Sequence, residues 1–461
     1  MPHYPATALG TAEDILRRAG AVPEHTHFPT VDELHQRLED VRAEHPELIT
    51  VERIGTSRLG EPIRLYHVGT GSRSALIVGA VHPNEPIGSL TIVHLVEQLV
   101  HDEAFRDGLD TAWHIIPCAD PDGTRLNEGW FGDPADRERY AREFFRPAPD
   151  EQVEWTFPFD YKTAYFDAMM PETQALARAI DSTRPDLYVP LHNSEGGGAY
   201  FYLSRAVPAL YPLLHQVTAS CDVPLHVGEP EGAHFTVLDQ AIYEMGTLED
   251  AYDWTEAQGF DPYPPGSAGD ASTSYASKYG ALSLIAELPQ FSDPSADDTT
   301  PTDTLYRDAL RRSGEQLVET GELLTALLAR VDSRVRMDTA LLRAARAFSP
   351  MAVTAGESNI ARADAEGDRP ATVAELASLD GLVDLHRLRW GGMLRRALRA
   401  EVDAGIAAPT VRGAAADAEQ LFTGWLRDAS AGRSSVPLPL SRVVGVQYGA
   451  ILAAHAHLEH R

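Results

Sequence analysis

The stretch SALIVGAVHPNEPIGSLTIVHLVEQLV at residues 74–100 joins an apolar strand to an amphipathic helix through a short loop. The run Ala75–Val81 is the predicted strand, and His82 follows it at the carboxyl end, where open α/β sheets place their chemistry. Pro86 suits the first turn of the helix, and Glu85 precedes it at the positive end of the helix dipole. The stretch therefore predicts an α/β fold with a functional site at the strand ends.

The two polar residues of this loop have the spacing of metal ligands. His82 and Glu85 are three positions apart across a tight turn, so their imidazole and carboxylate can converge on one small cation. Zinc accepts both ligand types. A capping glutamate beside a surface histidine is the alternative interpretation, and so short a motif does not by itself separate the two.

The composition limits the class of protein. A chain of 461 residues can hold a large α/β core and an accessory region. Hydrophobic and charged contents of 43% and 23% are typical of globular proteins, and no apolar run approaches the length of a membrane span. The net charge of −29 disfavours a nucleic-acid partner, whose phosphates would be repelled. We thus expect no nucleic acid and no membrane among the partners.

The compartment is predicted from the N-terminal segment and the cysteines. The first residues have neither the basic region nor the apolar region of a secretory signal, so we expect a cytoplasmic protein. Cys118 and Cys221 both lie in apolar contexts. This placement favours reduced core thiols over a disulfide framework.

Two further strands end in potential ligands. The segment DLYVPL leads to His192, and ALSLIA leads to Glu287. If these strands lie beside the first one, all the polar side chains meet at one edge of the sheet. Two histidines and one glutamate make a catalytic type of zinc site, with an open position for water, and a second glutamate can take a proton. This convergence favours the metal interpretation of the loop.

The remaining chain divides into three predicted regions. Thr30 and Glu33 form a capping pair that begins a helix, and residues 1–29 before it are predicted to be an N-terminal extension. Residues 30–300 form the predicted catalytic domain. Within it, residues 124–170 lack periodicity and are predicted to be a long active-site loop with short helical pieces.

Residues 301–461 are rich in alanine and arginine and are predicted to be an all-α appendage. Apolar residues at seven-residue spacing predict a long helix with one apolar stripe: Leu310, Leu317, Leu324 and Val331. A loose loop is predicted at Pro350–Pro370, and a last helix at Leu440–Leu458. The appendage could also join two copies of the chain in a homo-oligomer.

Several pieces between residues 30 and 293 resemble the zinc carboxypeptidase (metallocarboxypeptidase) family. They are IGTSRLGEPI, VHPNEP, an Asp-Pro-Asp-Gly turn at 120–123, LYVPLHNS and LIAELP. The resemblance implies a mixed eight-stranded α/β sheet flanked by helices, with one zinc per chain held by His82, Glu85 and His192. It also implies hydrolysis of the C-terminal amide bond of a peptide or an amide-linked small molecule. Glu287 would act there as general base and acid on a zinc-activated water.

The resemblance also implies roles for residues that bind substrate. Arg125 is the nearest match to the family's oxyanion-stabilising arginine, although pairing with Asp120 or Asp122 is an alternative for it. Tyr263 is the candidate for the family's tyrosine in the loop before the last core strand. Asp270 falls in the segment that builds the specificity pocket, where it would favour a basic or amino-bearing side chain, unless it is a plain surface aspartate.

One family feature is absent. The Asn-Arg pair that binds the substrate's free α-carboxylate has no counterpart, because the corresponding region reads WTFPFDYKTAYF. A cation is still required, since a carboxylate brought to a metal site loses hydration. Either Arg125 with Asn127, or Arg146 or Lys162 from the long loop, is expected to take this role.

Two other functions compete with a carboxypeptidase. An N-acyl amino-acid deacylase of the aspartoacylase type would share the fold and the ligand pattern. Two features favour the carboxypeptidase. One is the long segment between the ligands, and the other is the strand that ends in ELP. A catalytically silent binding protein is the third hypothesis, and the presence of all four key residues disfavours it.

Overall fold

The structure is a computed structural model that describes residues 10–232, 234–431 and 435–458. Its centre is a twisted mixed sheet with helices on both faces. The strands are β1 (Ile49–Thr56), β2 (Pro62–Val68), β3 (Arg73–Val78), β4 (Thr111–Ile116), β5 (Phe159–Tyr161), β6 (Ala164–Phe166), β7 (Leu187–Pro190), β8 (Gly196–Gly197), β9 (Tyr200–Leu203), β10 (Thr236–Asp239), β11 (Ile242–Glu244), β12 (Leu282–Glu287), β13 (Phe291–Ser292), β14 (Pro301–Leu305), β15 (Pro370–Thr372) and β16 (Val436–Pro437).

The helices alternate with these strands in the first part of the chain and follow one another in the last part. They are α1 (Ala12–Ala19), α2 (Val31–Glu44), α3 (Ile87–His101), α4 (Glu103–Leu109), α5 (Pro121–Arg125), α6 (Glu128–Phe131), α7 (Arg137–Glu143), α8 (Pro171–Thr183), α9 (Tyr211–Ser220), α10 (Leu248–Ala257), α11 (Ser272–Ser277), α12 (Tyr306–Val331), α13 (Ala340–Ala365), α14 (Val373–Asp403), α15 (Pro409–Ala431) and α16 (Leu440–Ala456). Thr30 and Glu33 form the predicted capping box of α2.

The main sheet has the order β1-β2-β4-β3-β7-β12-β9-β11-β10, nine strands among the described residues, where eight were expected. The neighbours β3, β7 and β12 run parallel, so their carboxyl ends lie at the same edge. Antiparallel pairs on both sides of them make the sheet mixed, as predicted. The edge strand β10 has a largely exposed, partly polar sequence, and strand patterning therefore gives little signal for it.

The central strand β3 explains why residues 74–100 determine the fold. Ala75 and Ile77 pack into the apolar cluster on one face of the sheet, and Leu76 and Val78 pack into the cluster on the other. A strand that is buried on both faces needs an unbroken apolar run. Helices α8 and α11 cover the second face, whereas α3 and α16 cover the first.

The last helix belongs to this core. Helix α16 packs against α3, α9, β7 and β12, and α1 packs on its outer side. Gly445 and Gly449 allow the contact with α1, because a Cβ atom at Gly445 would lie 2.5 Å from the carbonyl oxygen of Ala19. A domain boundary at residue 300 therefore does not separate α16 from the sheet, and residues 10–29 contribute packing through α1.

Helices α12 to α15 pack on one another. The seven-residue stripe of α12 is buried as predicted. The prediction of a loop at Pro350–Pro370 is wrong, because α13 continues through Pro350 and ends at Ala365. Gly356 permits a close crossing with α12, since a Cβ atom there would lie 2.5 Å from the carbonyl oxygen of Gly314. Tertiary packing thus overrides residues that locally favour a loop.

Two smaller expectations concern the cysteines and membrane spans. Cys118 and Cys221 are buried free thiols, as predicted. Within the part of the chain that the structure describes, no helix has the length and apolar character needed to cross a membrane.

Candidate metal centre

Three neighbouring strand ends bring the predicted ligands together. Strand β3 ends at Val78 and leads through a short turn to His82 and Glu85, just before α3. His192 lies two residues beyond β7, and Glu287 is the last residue of β12. The adjacency of the three strands, which the sequence could only suggest, therefore places these side chains at one edge of the sheet.

His82, Glu85 and His192 form a buried cluster whose candidate ligand atoms all lie within 4.8 Å of one another. The Nδ1 atom of His82 is 3.2 Å from Oε1 of Glu85, and the Nδ1 atom of His192 is 3.0 Å from Oε2. Each imidazole thus directs Nδ1 towards a different oxygen of one carboxylate. All four ring nitrogens are buried without a hydrogen bond of ordinary geometry.

The electrostatics of the cluster differ between its two histidines. Burial, reinforced by the charge of Arg146, lowers the pKa of His82 to about 3. Burial alone would raise the pKa of Glu85, but His82, His192 and Arg146 hold it well below its usual range. Burial likewise opposes charging of His192, yet the adjacent carboxylate of Glu85 raises the pKa of His192 to about 9. His82 and Glu85 are therefore in the forms that bind zinc, a neutral imidazole and an ionised carboxylate, whereas His192 would release a proton when a metal binds.

Asn193 links the two loops that carry the cluster. Its backbone N–H donates to Oε2 of Glu85 at 3.3 Å, and its side-chain oxygen accepts from the N–H of Ile87 at 3.2 Å. Ile87 is the first residue of α3. The residue after His192 therefore fixes Glu85 at the start of this helix.

Glu287 lies beside the cluster without being part of it. Its Oε1 atom is 3.7 Å from Nδ1 of His192. Burial raises the pKa of Glu287 well above its ordinary value, and the negative charge of Glu85 adds to this effect. A carboxylate with a raised pKa is a stronger proton acceptor than an ordinary one.

Arg146 is the predicted cation that the structure brings to the cluster. Its Nη1 atom donates to Oε1 of Glu85 at 2.7 Å, and its Nε atom donates to Gln152 at 3.1 Å. The guanidinium lies 5.3 Å from the centre of the Trp155 ring, and that ring is 5.0 Å from the ring of His82. The long loop thus supplies a positive charge next to a candidate metal ligand.

Arg125 is bound elsewhere. Its guanidinium donates to Glu61 at 2.7 Å and to the exposed Asp32 at 2.7 Å, and these hydrogen bonds raise its pKa. The two predicted pairing partners of Arg125 bind other groups. Asp120 caps α5, and Asp122 accepts a hydrogen bond from the hydroxyl of Ser57. The guanidinium of Arg125 thus contacts Glu61 and Asp32, whereas that of Arg146 contacts Glu85.

Asn127 lies behind the segment that carries Arg146. It is fully buried, and its side-chain amide binds both the N–H and the C=O of Phe145 at 2.9 Å. Phe145 precedes Arg146. Asn127 thus supports the segment that carries Arg146, and a substrate role for it remains a prediction.

The other predicted substrate residues are engaged outside the cluster. Lys162 binds Asp253 and Glu256 of α10, both at 2.7 Å. The hydroxyl of Tyr263 donates to the carbonyl of Ala268 at 2.8 Å. Asp270 pairs through its backbone with Phe157, and its side chain accepts from the next N–H. A substrate role for Lys162, Tyr263 and Asp270 remains a prediction.

The sequence alone did not indicate Glu154, which directly precedes the stretch WTFPFDYKTAYF. Glu154 is buried, and burial raises its pKa to about 7. Ser272 donates to its Oε1 atom at 2.6 Å, and its charge interacts with that of His192. A single glutamate in an aperiodic loop gives no pattern from which this placement could be predicted.

Residues 34–217 match the zinc carboxypeptidase family. Carboxypeptidase B of Astacus astacus is 28% identical over 103 residues, which are 21% of this chain and 34% of the relative. Zinc carboxypeptidase A 1 of Anopheles gambiae is 28% identical over 205 residues, which are 38% of this chain and 45% of the relative. The chain thus spans between a third and a half of the length of these curated relatives.

Among solved structures, carboxypeptidase A from Helicoverpa armigera is 16% identical, with a TM-score of 0.38 and coverage of 77% of this chain and 79% of that chain. The matched range 34–217 contains His82, Glu85 and His192 and ends before Glu287. The match with the zinc carboxypeptidase family thus covers the part of the chain that carries the three candidate ligands.

Proposed function

We propose that the chain is a zinc-dependent hydrolase that cleaves the C-terminal amide bond of a peptide or a peptide-like metabolite. The observation that carries this proposal is the buried cluster of His82, Glu85 and His192, whose ring nitrogens lack hydrogen-bond partners. Buried polar atoms are ordinarily satisfied, and a cation held between the three side chains would satisfy them. The family match supports zinc as this cation.

The donor set fits a catalytic zinc site. Two imidazoles and one carboxylate are three protein ligands, which is the number that leaves a coordination position open. Glu85 lies between the two imidazoles, so His82, Glu85 and His192 would hold one zinc per chain. When bound, zinc would supply Lewis acidity that polarises an amide carbonyl and lowers the pKa of a water molecule.

Glu287 is the proposed proton carrier of the reaction. It lies at the end of an otherwise apolar strand, next to His192 but not within the cluster of the three candidate ligands. Burial keeps its pKa high, so its carboxylate can accept a proton from water and its carboxylic acid can donate that proton to the leaving amine. This exchange returns Glu287 to its starting state after each turnover.

Arg146 is the proposed stabiliser of negative charge in the substrate. Its guanidinium is already beside Glu85 and is held in place by Gln152 and Trp155. An arginine fork can bind a developing oxyanion or a free carboxylate by two hydrogen bonds. We therefore assign this role to Arg146 in preference to Arg125.

Metal analysis of the purified full chain tests the metal assignment. We expect about one zinc per chain in the wild type and its loss in His82→Ala, Glu85→Ala and His192→Ala, together with loss of hydrolysis. His215→Ala is a matched control, because the ring of His215 is half-buried and its Nε2 atom lies 2.8 Å from the backbone carbonyl of Gln240. A His192→Ala protein that is free of metal and fully active would contradict the proposal.

A substrate panel tests the reaction class. Peptides with a free C-terminus should be hydrolysed, whereas their C-terminal amides should react poorly if Arg146 binds the carboxylate. Preferential hydrolysis of N-acyl amino acids would instead identify a deacylase, and zinc binding without any hydrolysis would favour a binding protein. A cytoplasmic location and a homo-oligomer formed through the helical region remain predictions.

A further inference from the structure

A glutamine in the last core helix contacts the metal centre from behind. Gln447 is 1% exposed and lies on α16, most of whose residues are buried. Its Nε2 atom donates to the backbone carbonyl of His192 at 2.8 Å. Its Oε1 atom accepts from the hydroxyl of Thr91 at 2.7 Å. Both ends of this buried amide are therefore satisfied.

The two partners of Gln447 belong to the two segments that carry the candidate ligands. His192 is itself a ligand, and Thr91 is in the second turn of α3, the helix that begins two residues after Glu85. One planar amide thus fixes the distance between the backbone of His192 and the helix that positions Glu85. An apolar side chain could fill this space without the free-energy cost of burying an amide. The amide is tolerated here because its hydrogen bonds are made.

We propose that Gln447 is a positioning residue for the metal centre. It holds the His192 carbonyl against α3, and so maintains the spacing at which His192 and Glu85 can bind one ion. This inference rests on the proposed zinc site, and it makes the C-terminal helix α16 part of the catalytic centre. It adds to the link made by Asn193, which joins the same two segments from the other side.

The test compares zinc retention in the full-length, zinc-loaded chain. Gln447→Met preserves the length of the side chain and removes both hydrogen bonds. We expect zinc transfer to a competing chelator to rise about ten-fold or more, since outer partners of metal ligands typically change metal affinity by 10 to 100-fold. The visible spectrum of the cobalt-substituted protein should change as well, and kcat should fall more than KM rises.

A matched control lies on the same helix. His455 is also buried on α16, where its Nε2 atom is 2.7 Å from the hydroxyl of Thr111 and its ring stacks on Trp113. Thr111 begins β4, away from the ligand-bearing loops. His455→Phe keeps the ring stack and loses the hydrogen bond, so it should lower the melting temperature while zinc retention and the cobalt spectrum stay those of the wild type.

A second variant keeps the test decisive if Gln447→Met does not fold. Thr91→Val breaks the same link from its other end and should change zinc retention in the same direction by a smaller factor. Wild-type zinc retention and an unchanged cobalt spectrum in folded Gln447→Met or in Thr91→Val would overturn the inference alone. A wild-type chain that takes up no zinc would overturn the proposed function itself, so the two failures are distinguishable.

Discussion

Arg146 donates to the carboxylate of Glu85 at 2.7 Å across 61 positions of sequence. This contact requires the loop at residues 143–152 to be held firmly, and the structure shows several bonds that do so. Asn127 binds the backbone of Phe145 on both sides, and Arg396 of α14 donates to the carbonyl of Phe144 at 2.8 Å. The positive charge at the centre thus depends on both the α/β core and the C-terminal helices.

Removing the charge of Arg146 should impair catalysis severely. We expect Arg146→Gln to lower kcat/KM by about 100 to 1000-fold, the range seen when one oxyanion-stabilising donor is lost. Steady-state kinetics on a free-acid peptide and on its C-terminal amide measure this effect. KM should rise more for the free acid than for the amide. Arg146→Lys should not restore activity, because an ammonium lacks the planar fork.

Arg125→Gln provides the control for that experiment. It removes the ion pairs with Asp32 and Glu61 near the surface, which are expected to contribute about 1 kcal/mol or less to stability. Activity should stay within a few-fold of the wild type. A larger loss in Arg125→Gln than in Arg146→Gln would reverse the two assignments.

Replacing the proposed proton carrier should separate binding from turnover. Glu287→Gln retains the shape of the side chain and cannot accept a proton, so we expect zinc content to remain near one per chain while kcat falls at least about 1000-fold. Metal analysis and kinetics on the same preparation measure both quantities. Loss of zinc in this variant would show that Glu287 is a ligand.

The site was predictable where strand ends carry the signal. His82, Glu85, His192 and Glu287 all follow apolar runs, and the parallel order of β3, β7 and β12 then brings them together. Arg146 could only be one of several loop candidates, because residues 124–170 have no periodicity. Its selection depends on Asn127 and α14, contacts that local patterns do not contain.

The fold was least predictable where distant packing decides. Helix α16 is apolar on nearly every side, which predicts burial but not against which element. Gln447 is 255 positions from its partner His192, so its role leaves no trace in the sequence around it. Pro350 and Gly356 similarly favour a loop locally, whereas the close contact of α13 with α12 stabilises a helix.

A buried histidine should make stability depend on pH. Burial lowers the pKa of His94 on α3 to about 4, and its ring packs edge-on against Tyr448. Because this value is below that of the unfolded chain, about 6.5, the neutral folded form contributes stability above pH 6.5 that is lost as the pH falls towards 4. Between pH 7.5 and 4.5 the wild type should therefore lose about 1–3 kcal/mol more unfolding free energy than His94→Phe.

Urea unfolding of both proteins at several pH values measures this difference. His27→Gln, at an exposed position, is the control and should follow the wild type throughout. Parallel curves for the wild type and His94→Phe would mean that His94 becomes protonated in the folded protein without cost.

A buried ion pair ties α14 to the loop after His192, and breaking it should destabilise the chain. Arg389 donates through Nε to Glu195 at 3.1 Å and through Nη2 to the hydroxyl of Tyr140 at 3.2 Å. Glu195 lies three residues beyond His192 and is 7% exposed. Removing one member of a buried pair typically costs about 3–5 kcal/mol, and Glu195 would then keep only the longer contact with Arg137, at 3.8 Å.

We therefore expect Arg389→Met to lower the unfolding free energy by about 3 kcal/mol or more in urea titrations. The double variant Arg389→Met/Glu195→Gln should recover part of this loss, because no isolated charge then stays buried. Arg399→Met on the same helix is the control, since its pair with Asp403 is exposed and should contribute little to stability. If Arg389→Met is no less stable than Arg399→Met, Arg137 or water compensates the charge of Glu195, and α14 does not hold the His192 loop through this pair.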